Sequence, residues 1–231
     1  MTSSSGVRQT ARVSTDSAAT RVAESLRERV SSGQLGPGTA LSQAGLAEEY
    51  GVSRIPVRDA LQQLAGEGLV EVRGSTSVVT PLSIDDLQEL YELREAVEPV
   101  ATRLAVPRVG RAGVARMTRS LAVMDDPTIG PGTWVRTNAA FHAEVYTLAG
   151  RPRMIALVEQ LRRLTDRYVY FHLDVVGRVG HLQEEHRQIL DAVRAQDASA
   201  AAELTRAHLA SSHAVVLDYL LAQERDSGVD A

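Results

Sequence analysis

Between Leu41 and Arg73 the apolar positions follow two short helical periods and then switch to a strand-like run. Leu46 and Ala47 are the inward positions of the first helix. Ser42 is placed to cap its start, and Gly51 supplies the backbone freedom that ends it. Ser53 stands at the N-cap of a second helix, with Pro56 in the first turn, where a missing N–H costs little. Val57, Ala60, Leu61 and Leu64 recur at i, i+3, i+4 and i+7, the spacing of a buried stripe. Arg54, Arg58 and Gln62 recur at i, i+4 and i+8 on another face. Such a helix is either half of an ordinary hairpin with solvated arginines or a recognition helix. In the second case the guanidinium forks bind phosphate or pair with guanine edges in a major groove. Periodicity alone does not choose.

The flanking pattern predicts a first helix over 20–32, with Val22, Leu26 and Val30 on one face, and a turn at Gly36-Pro37-Gly38. Val70–Arg73 and Val78–Thr80 read as a small hairpin with Gly74-Ser75-Thr76 near its tip. Beyond Pro81 the pattern is helical throughout. Helices are predicted over 83–105, 111–124, 132–149, 152–173, 180–196 and 198–224, separated by Pro107, Pro127, Gly130-Pro131-Gly132, Gly150, Pro152 and Gly177. Pro99 is expected to kink the first of them. Six helices of these lengths suit a compact antiparallel bundle. The fold class is therefore mostly α.

The chain has 231 residues and no cysteine, so a disulfide framework and thiolate metal ligation are both excluded. No apolar run reaches the length of a membrane span, which makes a cytoplasmic protein the expectation. Net charge is −4, with residues 1–82 neutral overall and the acidity in the remainder. DNA binding by the N-terminal part would have to come from the placement of a few arginines. All six histidines lie beyond residue 140.

The wording of residues 37–72, PGTALSQAGLAEEYGVSRIPVRDALQQLAGEGLVEV, closely resembles the N-terminal winged helix of the GntR family of bacterial transcription regulators. The diagnostic pieces are Pro37-Gly38, Leu46-Ala47-Glu48, Gly51-Val52-Ser53-Arg54, Pro56-Val57-Arg58 and Glu67-Gly68-Leu69. The resemblance implies DNA contacts by Ser53, Arg54, Arg58, Gln62 and, at the wing, Arg73 and Gly74. Ala44 departs from it, standing where relatives often carry a charged residue, and the wing tip has an unusual wording. YELREAVEPVATRLA, NAAFHAEVYTLAG and EEHRQILDAVRAQD, with the AHL that follows, look like the helical effector domain of the FadR-type, or FCD, branch. The resulting division is a disordered tail over 1–17, a winged helix-turn-helix over 18–80 and a linker over 81–84. An effector-binding and dimerisation domain follows over 85–224, and a short tail over 225–231.

Asn138 and His142 are four apart and share a helix face, while His186 and His208 fall on two later helices. A lone helical histidine is ordinarily a surface or hydrogen-bonded residue, yet three can converge inside a bundle. The FCD resemblance implies that Asn138, His142, His186 and His208 hold a divalent metal, with zinc, nickel or manganese suited to an N/O shell. The amide of Asn138, where relatives often have Asp, is the weaker ligand. Occupancy is expected to fall as pH drops through about 6. His172, His181 and His213 are left with surface or hydrogen-bonding roles. Arg94 and Glu98 form either an intrahelical i,i+4 pair or, as the resemblance favours, an inward arrangement in which Arg94 grips a carboxylate effector. The expected protein is a homodimeric, ligand-responsive repressor on an inverted-repeat DNA operator, answering a small organic acid. The alternative is a metal-dependent enzyme in a helical bundle fused to a DNA-binding module. Against it, Glu144 is the carboxylate nearest His142 in sequence and points about 200° away on an ideal helix.

Overall fold

In the computed structural model the backbone is described for residues 6–74, 76–177 and 180–227, and side chains for 18–74, 76–177 and 180–225. The chain divides into two compact units, Met1–Pro81 and Leu82–Ala231.

The N-terminal unit contains α1 (Gly6–Ser31), β1 (Ala40–Ser42), α2 (Gln43–Glu49), α3 (Arg54–Gly66), β2 (Val70–Arg73) and β3 (Thr76–Val79). Val22, Ala23, Leu26 and Val30 of α1 are buried, as are Val57, Ala60, Leu61 and Leu64 of α3, and the two helices pack together. Each fully buried Val or Leu contributes about 1.5–3 kcal/mol relative to an exposed one. Arg27 donates to both carboxylate oxygens of Glu67, at 2.7 and 2.6 Å, and ties α1 to the end of α3. The strands form an antiparallel sheet in the order β1-β3-β2. Ser42 caps α2 by accepting from the Gly45 N–H. Gly51, at φ +63°, takes the left-handed conformation that turns the chain from α2 towards α3.

Three details differ from the expectations. Residues 6–17, expected to be a disordered tail, belong to α1; residues 1–5 lie outside the described residues. No proline interrupts this stretch, and extending a helix already anchored by packing costs far less than nucleating one. The hairpin is completed by a third strand, β1, whose three residues are too few to show a period. Ser53 holds the N-cap position of α3, but its side chain makes no capping hydrogen bond.

The second unit has six α-helices among the described residues: α4 (Ile84–Ala105), α5 (Arg111–Asp125), α6 (Pro131–Tyr146), α7 (Pro152–Val175), α8 (Gly180–Arg194) and α9 (Ala198–Ser227). A single 3₁₀ turn, Val106–Arg108, follows α4. The expected C-terminal tail from 225 is helical to Ser227, and residues 228–231 lie outside the described residues. Pro131 and Pro152 sit in first turns, where the ring is tolerated. Two apolar clusters fill the bundle. The larger includes Met117, Phe141, Val145, Ile189 and Val193; the other joins Leu87, Tyr91, Leu161, Tyr168 and Leu209. At the start of α4, Ser83 caps the helix through the Asp86 N–H. The Tyr168 hydroxyl donates to Asp86, and Arg167 donates to the same carboxylate at 3.0 Å, so α7 grips the beginning of the bundle.

Candidate nucleic-acid interface and metal centre

Burying Val57, Leu61 and Leu64 against α1 and α2 turns the opposite face of α3 to solvent. Ser53, Arg54, Arg58 and Gln62 are all exposed there, as the helical spacing predicts. Arg58 donates to Asp59 through Nε and Nη2, at 3.3 and 3.1 Å. On the wing, Arg73 donates to Glu71 at 2.7 Å, and Gly74 turns the chain at φ +65°. Both ion pairs are on the surface, where such contacts are worth about 0–1 kcal/mol. Contacts this weak can be exchanged for another partner at little cost. Ile55, more than half exposed, stands among these polar groups.

The second unit keeps its polar groups inside. His142 on α6, His186 on α8 and His208 on α9 are buried, and one ring nitrogen of each lies within 4.8 Å of the others. The Nε2 atoms of His142 and His186 are 3.3 Å apart. Each Nδ1 has its own partner: Tyr146 Oη at 3.4 Å for His142, Gln183 Oε1 at 3.2 Å for His186, and Glu185 Oε2 at 2.9 Å for His208. Because Tyr146 donates its proton to Glu98 Oε2 at 2.7 Å, its oxygen accepts from His142 Nδ1–H. Nδ1 partners of this kind fix the tautomer that leaves Nε2 free to ligate. Asn138, one turn before His142, is buried and its Oδ1 lacks a partner.

The electrostatics suit the same reading. Burial, with Arg162 nearby, pushes His142 well below the ordinary imidazole value. Burial and the neighbouring His208 do the same to His186. His208 is also lowered by burial, although Glu185 partly counteracts the shift. All three are thus held neutral, the form that binds metal. Glu98 donates nothing and accepts much: Arg94 Nε lies at 2.6 Å from Oε1, and Arg162 Nη1 at 3.7 Å from Oε2. Burial alone would raise the Glu98 carboxyl, but the two guanidinium groups overcome it and hold the carboxyl low. Arg94 is thus ion-paired within α4 and faces inward onto a cavity of about 340 Å³.

Sequence reasoning missed Tyr146, Gln183, Glu185 and Arg162. Tyr146 extends the Asn138–His142 spacing by four and was readable as one stripe. Glu185 gives no local signal, since it sits beside His186 in sequence but bonds His208 across helices. His172 is buried with neither ring nitrogen partnered, His213 stacks on Tyr91, and His181 is exposed. Glu144 is held by Arg116 at 2.6 Å.

A winged helix carrying an exposed arginine face, in one chain with a helical domain enclosing a polar cavity, defines the class of transcriptional regulators. Residues 18–79 match the family described as bacterial regulatory proteins, gntR family, and residues 89–211 match the FCD domain. The chain belongs to the GntR family, in its FCD branch. It is 30% identical over 210 residues to an uncharacterized HTH-type transcriptional regulator, BphR, of Paraburkholderia xenovorans (strain LB400), covering 84% of this chain and 83% of that protein. It is 29% identical to the HTH-type transcriptional repressor GlaR of Escherichia coli (strain K12), over 80% of this chain and 89% of the relative. A putative transcriptional regulator GntR from Rhodococcus sp. RHA1 superposes with a TM-score of 0.75 at 26% identity, covering 87% of this chain and 98% of that one. These relatives are transcriptional regulators, and the chain is a regulator rather than an enzyme.

Proposed function

We propose that this regulator is a homodimeric repressor whose hold on an inverted-repeat operator is altered by a small organic acid bound beside a divalent metal. The observation that carries the reading is the convergence of His142, His186 and His208 with every Nδ1 already engaged. Their neutral imidazoles, with the unpartnered Oδ1 of Asn138, suit zinc, nickel or manganese. Such an ion would supply a Lewis-acidic centre for a carboxylate. Arg94, on the wall of the same cavity, adds positive charge for the acid. Ser53, Arg54, Arg58, Gln62, Arg73 and Gly74 form the DNA-facing set.

One winged helix offers too little contact for tight, selective binding, so two heads are needed on successive major grooves. Leu93, Ala96 and Val100 form an i, i+3, i+7 stripe on the outer side of α4, with Leu93 and Val100 about two-fifths exposed. A second copy of this chain is the partner that fits there. Among the described residues no helix is long and apolar enough to cross a membrane.

Elemental analysis of protein purified without chelator, beside His186→Ala and His181→Ala, tests the metal. About one equivalent in wild type and His181→Ala, and none in His186→Ala, is expected. A metal-free wild type that takes none up refutes the site. Light scattering tests the dimer, with Leu93→Glu expected to yield monomers.

A further inference from the structure

Six buried side-chain nitrogen or oxygen atoms among the described residues lack a hydrogen-bond partner, and four of them line one cavity. They are Asn138 Oδ1, Arg162 Nη1 and both ring nitrogens of His172. A buried polar group left unpaired costs about 1–3 kcal/mol, more when it is charged. A metal would account for Asn138, which leaves Arg162 Nη1, in ion-pair range of Glu98 Oε2 at 3.7 Å, and both nitrogens of His172 without a hydrogen bond.

The cavity, of about 340 Å³, is graded from polar to apolar. Along α7 its wall runs from Arg162 and Asp166 to Val169 and Leu173, and along α9 from His208 and Ser212 to Val216. Trp134 lines it two turns before His142 on α6. His172 lies ten residues beyond Arg162 on α7, about 15 Å along a helix at 1.5 Å per residue. Arg94 and Arg162 share the carboxylate of Glu98, and Asp166, raised to about 6 by burial, adds a second acidic group at the same end. Asp166 on the same wall repels a second anionic group.

We infer that this cavity takes an elongated monocarboxylic acid. Its carboxylate sits on Arg162, its apolar body along Val169, Leu173 and Val216 beside Trp134, and one neutral hydrogen-bonding group at the far end on His172. A hydroxyl or carbonyl suits His172 because burial lowers the imidazole's pKa and keeps the ring uncharged. The inference deepens the effector reading above, since it names the acid's class and its anchor, but it needs only direct binding and not a response at DNA.

The chain's single tryptophan lines the cavity, so its fluorescence reports binding. The probes are 8-hydroxyoctanoate, octanoate and gluconate, a polyhydroxylated acid. The hydroxylated chain should bind tightest, octanoate about threefold weaker for one lost hydrogen bond, and gluconate weakest. Arg162→Gln should weaken both chain acids by about tenfold or more at unchanged metal content, and His172→Phe should erase the advantage of the hydroxyl. Should Arg162→Gln fail to fold, Arg162→Lys keeps the charge beside Glu98 and loses only the fork; it should bind between the two. Gluconate binding as tightly as 8-hydroxyoctanoate, no response to any chain acid, or a folded Arg162 variant with wild-type affinity overturns the inference. If the acids bind and DNA affinity does not change, the effector reading fails while the cavity assignment stands.

Discussion

The arginines of the two units do opposite things with the same side chain. Arg58 and Arg73 lie on the surface, each leaning on a neighbouring carboxylate through a contact that water weakens. Arg94 and Arg162 are buried around Glu98, where bulk solvent does not screen the charges. The difference teaches which pairs are exchangeable. A surface pair gives way to a phosphate at little cost, whereas a buried pair is part of the fold and must be compensated whenever it is disturbed. The N-terminal unit is thus built to swap partners, and the helical unit to hold its polar groups in one arrangement.

Glu98→Gln gives the largest break in that comparison. It removes the carboxylate that both buried guanidinium groups share and is expected to destabilise the second unit by about 3–5 kcal/mol in urea unfolding. Removing a surface acid such as Glu71 should cost almost nothing by the same measure. Acid sharpens the point. His142, His186 and His208 are depressed in the fold, so the unfolded chain takes up protons first. In chelator, stability is then full above about pH 6.5 and falls as pH drops below that value. Asp166, raised to about 6 by burial, works the other way at lower pH, but it is one group against three. Metal should also be retained below the pH at which a free imidazole would release it, because the proton competes less well. A melting temperature unchanged between pH 7.5 and 5.5 would contradict the buried cluster.

Arg58→Ala comes next, at about 1–3 kcal/mol in operator binding and with relaxed preference at one position per half-site if it reads a base. Arg54→Ala should weaken binding more evenly across sequences, as a phosphate contact does, and salt-resolved titration separates the two. Tyr146→Phe removes the oxygen that receives His142 Nδ1–H; about a tenfold loss of metal affinity is expected. The smallest effect belongs to Asp59→Asn. Freeing Arg58 from its surface partner should tighten DNA binding by a few tenths of a kcal/mol. A loss instead would mean that Asp59 positions Arg58 for the groove.

The helical elements were legible because Val57, Ala60, Leu61 and Leu64 repeat on one face and Pro131, Pro152 and Gly177 punctuate the chain. The expected end of α8 at 196 came two residues late for a physical reason. Gln196 takes φ +60° without being glycine and is steadied by its own amide donating to the Val109 carbonyl, a contact invisible in sequence. Within the histidine cluster, spacing alone linked only Asn138 with His142; His186 and His208 came from family likeness. The partners of each Nδ1 reach across helices, and no local pattern encodes such a register. Arg162 was hidden for another reason. It stands beside Arg163 as one of two apparent surface arginines, although its position four after buried Val158 sets it on the inner stripe of α7.

Helix α7 is a single rigid part with two jobs. Its Arg162 faces the cavity, while Arg167 and Tyr168, about 9 Å further along the helix axis, hold Asp86 at the head of the bundle. Pro81 and Leu82, where the chain passes from one unit to the other, immediately precede that anchorage. A helix of 24 residues transmits a push or a twist along its axis rather than absorbing it. A displacement of α7 would therefore also displace the peg that holds Asp86, close behind the segment joining the two units.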